Sequence, residues 1–335
     1  MPRLTDPLVL RDTSAWPEYE AVTVIPRVYG RTRVTAIPYN ENKKVFVLAD
    51  HALQGVDEVT VDDAPVAGWR HDNAADHAGH AVAFLRLAEA VGGGTVAATV
   101  RGLPGNPADI LNDLYPRDDL QDLRIHCTNH GIELGGVLDQ RQTIRSAVQT
   151  VVEQFGGCWS AGMTGFAKVF PPGANDPIAA SFGPLDIADL SAECALETLV
   201  TRLRLVFDWD FASSKALQTV VLEAPSSVKR FGAIEAELRL PWIKTARAAA
   251  DTGMRYLQWR ARPLWRLRWR CGPGNRALQP GYWVQLLATP SPVNSEGVVM
   301  DVDPGYGAGA VTITAEAPAG DAPEISIVQS GAVFS

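Results

Sequence analysis

Between Thr201 and Phe211 the chain sets Leu203, Leu205, Phe207, Trp209 and Phe211 at every second position. Successive side chains of a strand point to opposite faces, so a period of two commits the segment to a strand with one apolar face. The same period returns through Ile234, Ala236, Leu238 and Leu240. It returns again where Trp265, Leu267, Trp269 and Cys271 oppose Arg266, Arg268 and Arg270. Further strands are expected at Trp283 to Leu287, Gly297 to Asp303 and Ala310 to Ala315. Twenty-nine glycines and 23 prolines, spread along the whole length, suit many short strands joined by tight turns.

The first hundred residues read the same way. Val22, Val24 and Val28 flank a proline, Arg31 to Ile37 alternates, and Lys44 to Leu48 follows a polar turn at Asn40-Glu41-Asn42. Val56, Val59 and Val61 lead into Asp62-Asp63, a plausible two-residue hairpin turn. Val82 to Leu87 and Thr95 to Val100 read as a second hairpin across Gly92-Gly93-Gly94, where glycine permits several turns. Residues 1–103 are therefore expected to form a small β domain.

Helical signals begin near Leu103. Asn106-Pro107 offers an N-cap with proline at the first helical position, and Ala108 to Tyr115 continues it. Ile144, Ala147, Val148, Val151, Val152 and Phe155 fall at spacings of three and four, one apolar stripe of a helix. Asp139 with Gln142 resembles a capping box before it, and Gly156-Gly157 stops it. Trp159 and Phe166 to Phe170 flank Gly162 to Gly165 as a hairpin. Ala246, Ala249, Ala250, Gly253, Met254 and Leu257 form a third, narrow stripe of mostly small residues, suited to close packing on a sheet. No solenoid-like repeat occurs. The expected class is α+β, mainly β, with residues 104–317 as the larger domain and 318–335 as a weakly patterned C-terminal arm.

The formal charge is -8, which disfavours non-specific nucleic-acid binding. MPRLTDPLVLRDTSAW lacks an apolar core and carries Asp6, Arg11 and Asp12, so it does not read as a signal peptide. No run of about 18 apolar residues predicts a membrane helix. Together these point to a soluble product of the cytoplasm. Cys127, Cys158, Cys194 and Cys271 lie far apart without a C-x-x-C pair, which argues against a zinc clip and for buried apolar thiols.

Candidate chemistry is thin. His71, His77, His80 and Asp76 could reach a metal, but HDNAADHAGH has no ligand spacing and reads as a solvated loop. Gly272 to Ala277, GPGNRA, matches a dinucleotide fingerprint, yet Leu278, Pro280 and Gly281 replace the helix that must follow. Ser160 in GCWSAG has the wrong spacing for a nucleophile elbow and follows a helix rather than a strand. Asp208 and Asp210 share a strand face and could pair as in glycosidases, but two acids opposite an aromatic stripe suit a wet face. From Arg255 to Arg270, arginines interleave with Tyr256, Trp259, Trp265 and Trp269. That mixture serves nucleic acid or protein interfaces, and the acidic total charge favours a strand presenting Arg to a neighbouring subunit. No catalytic, cofactor-binding or metal-ligating residue is assigned.

One resemblance organises these motifs. IPRVYGRTRV (Ile25 to Val34), followed by FVLADHALQGVDEVTVDDAPV (Phe46 to Val66), resembles the opening of many phage tail proteins. The Asn-Pro-Ala helix at Asn106 to Tyr115, a further helix and the Gly-Gly-x-Trp hairpin at Gly156 to Phe170 resemble the tail hub proteins of tailed phages. The small-residue helix, the strand and turn at Pro280 to Val284 and the strand at Gly297 to Val302 continue the same order. The likeness covers about Ile25 to Ala315. It implies β-barrel-like hub domains with inserted helices, assembled as a homotrimeric ring at the distal tail tip of a virion with a long non-contractile tail.

Implied partners are the distal tail or tail-tube protein, other tail-tip or baseplate proteins, tail fibres and the tape measure protein, with no membrane and no specific nucleic-acid contact. The implied role is structural, in host cell entry and DNA ejection, and not enzymatic. Some tail-tip proteins hold an iron–sulfur cluster, but these four cysteines do not match a clustered pattern and no ligands carry over. Two rival readings are a cell-wall hydrolase using Asp208 and Asp210, and a receptor- or glycan-binding protein using Trp259, Trp265 and Trp283.

Overall fold

A computed structural model describes residues 2–16, 22–39, 43–76, 79–160, 166–171, 177–287, 295–305 and 310–330. The expected turns at 40–42 and 162–165 lie outside them. The class is α+β, mainly β, as the alternation predicts. Among the described residues no helix is long and apolar enough to cross a membrane. Contacts divide the chain into two compact units. The first is Met1–Gln154 with Phe207–Gln218 and Pro241–Ala248; the second is Phe155–Val206 with Thr219–Leu240 and Ala249–Ser335. All strands of the expected N-terminal β domain fall in the first unit, together with the helices up to Gln154.

The first unit holds β1 (Arg27–Tyr29), β2 (Arg31–Thr35), β3 (Ile37–Pro38), β4 (Val45–Ala49) and β5 (Gly55–Val61). It continues with β6 (Ala64–Pro65), β7 (Trp69–Ala75), β8 (Ala81–Leu87), β9 (Val96–Arg101) and β10 (Gly136–Leu138). Two four-stranded antiparallel sheets, ordered β2-β9-β5-β6 and β3-β4-β8-β7, share one core. Val34, Val59, Ala98 and Val100 enter it from the first sheet, and Phe46, Leu48, Ala83 and Leu85 from the second. A second cluster of Trp16, Ile25, Val47, Val82 and Phe84 covers the opposite face of β4 and β8. Burial on both faces is why Val45–Ala49 reads as continuous apolar sequence.

The Asp62-Asp63 turn forms as expected. Both residues take left-handed φ, 50° and 64°, and Val61 pairs with Ala64. The hairpin expected across Gly92–Gly94 does not form: β8 pairs with β4 and β7, and β9 with β2 and β5. The glycines instead carry the chain from one sheet to the other. Alternation gives the buried face of a strand, not its partner. The expected solvated loop at 71–80 is also corrected, because β7 pairs with β8 from Trp69↔Leu87 to Ala75↔Ala81. It is an edge strand with most side chains partly exposed, which explains its polar sequence.

Helix α1 (Pro107–Leu114) starts as predicted, with Asn106 Oδ1 accepting the Ala108 N–H at 3.0 Å. Helix α2 (Gln121–His130) was not anticipated; only Leu123 and Cys127 are buried, too sparse a stripe to see. Helix α3 (Ile144–Gln154) buries the predicted stripe. Its cap is not the Asp139/Gln142 pair. Thr143 Oγ1 accepts the Ser146 N–H at 3.2 Å, while the N–H groups of Ile144 and Arg145 donate to the carbonyls of Asp6 and Leu4. An N-terminal strap thus satisfies donors that a helix leaves unpaired.

The second unit contains β11 (Gly157–Trp159), β12 (Ala167–Val169), β13 (Ile178–Phe182), β14 (Ala188–Ala195), β15 (Arg202–Asp210) and β16 (Lys215–Glu223). After α4 (Pro225–Phe231) come β17 (Glu235–Leu240), α5 (Ala246–Arg260), β18 (Leu264–Cys271) and β19 (Trp283–Leu286). The series ends with β20 (Ser295–Asp303), β21 (Val311–Pro318) and β22 (Ser326–Ser330). The far ends of β15 and β16 and the first turn of α5 count with the first unit.

Strands β11 and β12 form the expected hairpin after Gly156, whose φ of 61° ends the preceding helix. A six-stranded sheet runs β13-β19-β20-β21-β18-β14, antiparallel except for β13 beside β19. Its core joins Phe182, Leu267, Trp269, Val284, Leu286 and Ile313, with Phe182 and Trp269 edge-to-face at 5.2 Å. A four-stranded sheet runs β17-β15-β16-β22. Among the described residues every sheet is an open ladder, and none closes into a barrel.

Small residues bring α5 close to its sheet, as their spacing predicts. A Cβ on Gly253 would lie 2.6 Å from Leu205 Cδ1 and 2.7 Å from Leu222 Cδ1. Within the expected C-terminal arm, Ser326–Ser330 forms β22, which pairs with β16 from Val220↔Ser330 to Glu223↔Ser326. Five residues are too few to display a period.

Candidate functional site

The first unit carries a cleft of about 580 Å³ between β2, β5 and the turn joining β15 to β16, and it contains both acids singled out in the sequence. Asp208 takes φ 55°, which breaks the alternation of β15. Its side chain meets Lys244 Nζ at 3.4 Å and accepts from Gln218 at 3.1 Å. Asp210 is turned inward and buried. It accepts from Arg33 Nη1 at 2.6 Å, Ser213 Oγ at 2.8 Å and the Ala212 N–H at 2.9 Å. The wet face expected for this pair is therefore absent, and each acid has its own cation.

These contacts decide the chemistry. Burial raises the Asp210 pKa, but the hydrogen bonds from Ser213 and Arg33 outweigh it and hold the carboxyl below its usual range. A general acid must carry its proton near neutral pH, and Asp210 does not. Lys244 is pushed down by burial, with Asp208 opposing that shift, and its Nζ donates to the Trp209 carbonyl at 2.8 Å. The cleft is an ion-paired joint that fastens the β15–β16 turn to β2.

The other candidates separate. His71 Nε2 lies 3.2 Å from Asn73 Oδ1 on β7, and His77 lies outside the described residues. Asp76 accepts the His80 N–H at 2.9 Å and the Trp16 indole N–H at 3.4 Å, so it holds a turn against a core tryptophan. Among the described residues no three His, Cys, Asp or Glu side chains converge for a metal. Cys127 and Cys271 are buried as expected, but Cys158 is half-buried and Cys194 exposed. Burial pushes the Cys158 thiol up to about 11, so it stays protonated at neutral pH.

Pro273–Ala277 is a short 3-10 turn leading to β19, with no helix to receive a pyrophosphate. Ser160 directly follows β11, not a helix as the sequence suggested, and its N–H closes the hairpin on the Phe166 carbonyl at 2.8 Å. Strand β18 presents Arg266, Arg268 and Arg270 on one face and buries Trp269, but β14 and β21 occupy both its edges. Arg270 pairs with Asp189 at 2.9 Å. Trp259, one of the aromatics considered for a glycan face, is 3% exposed and packs edge-on against Phe170 and Trp283.

Two of the features that sequence reasoning misses stand out. The Arg33–Asp210 pair spans 177 residues, and no local signal announces it. The edge strand β14, whose residues are exposed on both faces, has no hydrophobic period to reveal it.

With this geometry the fold proves to be shared. No protein-family model matches the sequence, and no curated protein is significantly similar to it. A chain in the virion of a native gene transfer agent particle superposes with a TM-score of 0.58 at 16% identity, covering 90% of this chain and 88% of that one. A tail protein from Neisseria meningitidis MC58 gives 0.40 at 13% identity over 88% and 96% of the two chains. The 43 kDa tail protein of prophage MuSo2 from Shewanella oneidensis gives 0.37 at 12% over 93% and 98%. The first comparison shows a common fold along nearly the whole chain.

Proposed function

We propose that this chain is a structural protein of a tailed phage or phage-like particle, a hub ring at the distal end of the tail. The observation that carries this reading is a fold shared over 90% of the chain with a component of a gene transfer agent virion. The motif order from Ile25 to Ala315 supports the same reading from the sequence side. In this account the chain forms a homotrimer between the distal tail or tail-tube protein and the fibres and other tip proteins, beside the tape measure protein. It lets DNA pass at ejection and performs no catalysis. Asp208 and Asp210, the strongest catalytic candidates, serve as ion-pair partners, which favours assembly over hydrolysis.

Native mass spectrometry of the purified chain, alongside protein identification in purified particles, tests the proposal. A trimer in solution and the chain in washed particles are expected. A stable monomer that is absent from particles overturns it.

A further inference from the structure

The six-stranded sheet ends at β14, and that end is bare. Among the described residues β14 pairs only with β18, so its outer row of N–H and C=O groups has no strand beside it. Every residue from Ala188 to Cys194 is exposed, on both faces of the strand. Leu190 is 36% exposed, and Leu185 and Leu196, beyond either end, are 101% and 57% exposed. Natural sheet edges are commonly guarded by lysine, by proline or by being very short. Strand β14 has eight residues and neither lysine nor proline; what guards it is a bulge between Ala188 and Ser191 and the two acids Asp189 and Glu193.

Charge narrows what could cover this edge. From Val169 to Thr201 the chain has no Lys, Arg or His, while Asp186, Asp189, Glu193 and Glu197 lie along β14 and its flanks. Arg270 and Arg266 reach Asp189 and Glu197, but Asp186 and Glu193 make no ion pair among the described residues. We propose that β14 is a docking edge for an extended basic segment of another polypeptide, which adds to the sheet as a further strand. Its main chain would take the free hydrogen bonds, its Lys or Arg side chains would meet the acids, and its intervening apolar residues would cover Leu185, Leu190 and Leu196. Pairing with β14 of a second copy would set like charges against one another. The edge can take such a segment whatever larger assembly the chain joins.

Hydrogen–deuterium exchange of the full chain, resolved to residues 188–194, reads this directly. An alternating Lys–Val peptide should slow exchange there by about tenfold or more at saturation, and an alternating Glu–Val peptide should leave it unchanged. In a D189K/E193K chain the preference should reverse. No protection by either peptide, equal protection by both, or protection blind to the charge reversal would overturn the proposal. So would protection in the free chain that disappears on dilution, which would assign the edge to a second copy.

Discussion

Arg33 joins two parts of the first unit that are far apart in sequence. It reaches Asp210 at 2.6 Å, Asp63 at 2.7 Å and the Thr60 hydroxyl at 2.8 Å. Removing the guanidinium would leave the buried Asp210 carboxylate without its cation, which costs on the order of 3 kcal/mol in such pairs. Arg33→Ala should therefore lower the denaturant midpoint markedly, and Arg204→Ala, on an exposed pair, should hardly change it. Acid adds a second signature. The folded-state pKa of Asp210 lies below the unfolded value of 3.8. Its contribution is complete above about pH 4 and is lost as pH falls through the folded value. Chemical denaturation at pH 7 and pH 3 should show that Asp210→Asn loses less stability on acidification than the wild type.

Two elements test how the helices are held. If Thr143 caps α3, Thr143→Ala costs about 1 kcal/mol while Asp139→Ala stays within about 0.5 kcal/mol. The reverse ranking in thermal melts would restore the cap suggested by the sequence. At Gly253 a methyl group would overlap Leu205 and Leu222. Gly253→Ala should destabilise by roughly 1–3 kcal/mol despite alanine's better helix propensity, because overpacking outweighs it. A neutral or stabilised Gly253→Ala protein would mean that α5 stands farther from the sheet.

Elements with strong local periods were readable: the stripe of α3, the Asn106 cap, the Asp62-Asp63 turn and the alternation of β18. Pairing was not, because β8 and β9 alternate alike whether they face each other or belong to different sheets. Strands β7, β14 and β22 escaped notice because an edge strand buries too little to impose a pattern. The joint between Arg33 and Asp210 depends on a contact that local sequence cannot encode.

At the scale of the whole molecule, neither compact unit is continuous in sequence, so each must bring together segments far apart along the chain. Many long-range strand pairings of this kind fold slowly and expose edges meanwhile. Among the described residues β14 leaves one edge of the six-stranded sheet open. Asp208 and Asp210 are held in ion pairs with Lys244 and Arg33. The proposed position is the distal end of a tail. Gold-tagged antibody against this chain, imaged on purified particles by negative-stain electron microscopy, tests it most directly. Gold confined to the tail end opposite the capsid is the predicted result. Gold elsewhere on the particle, or none where the tip is accessible, would contradict it.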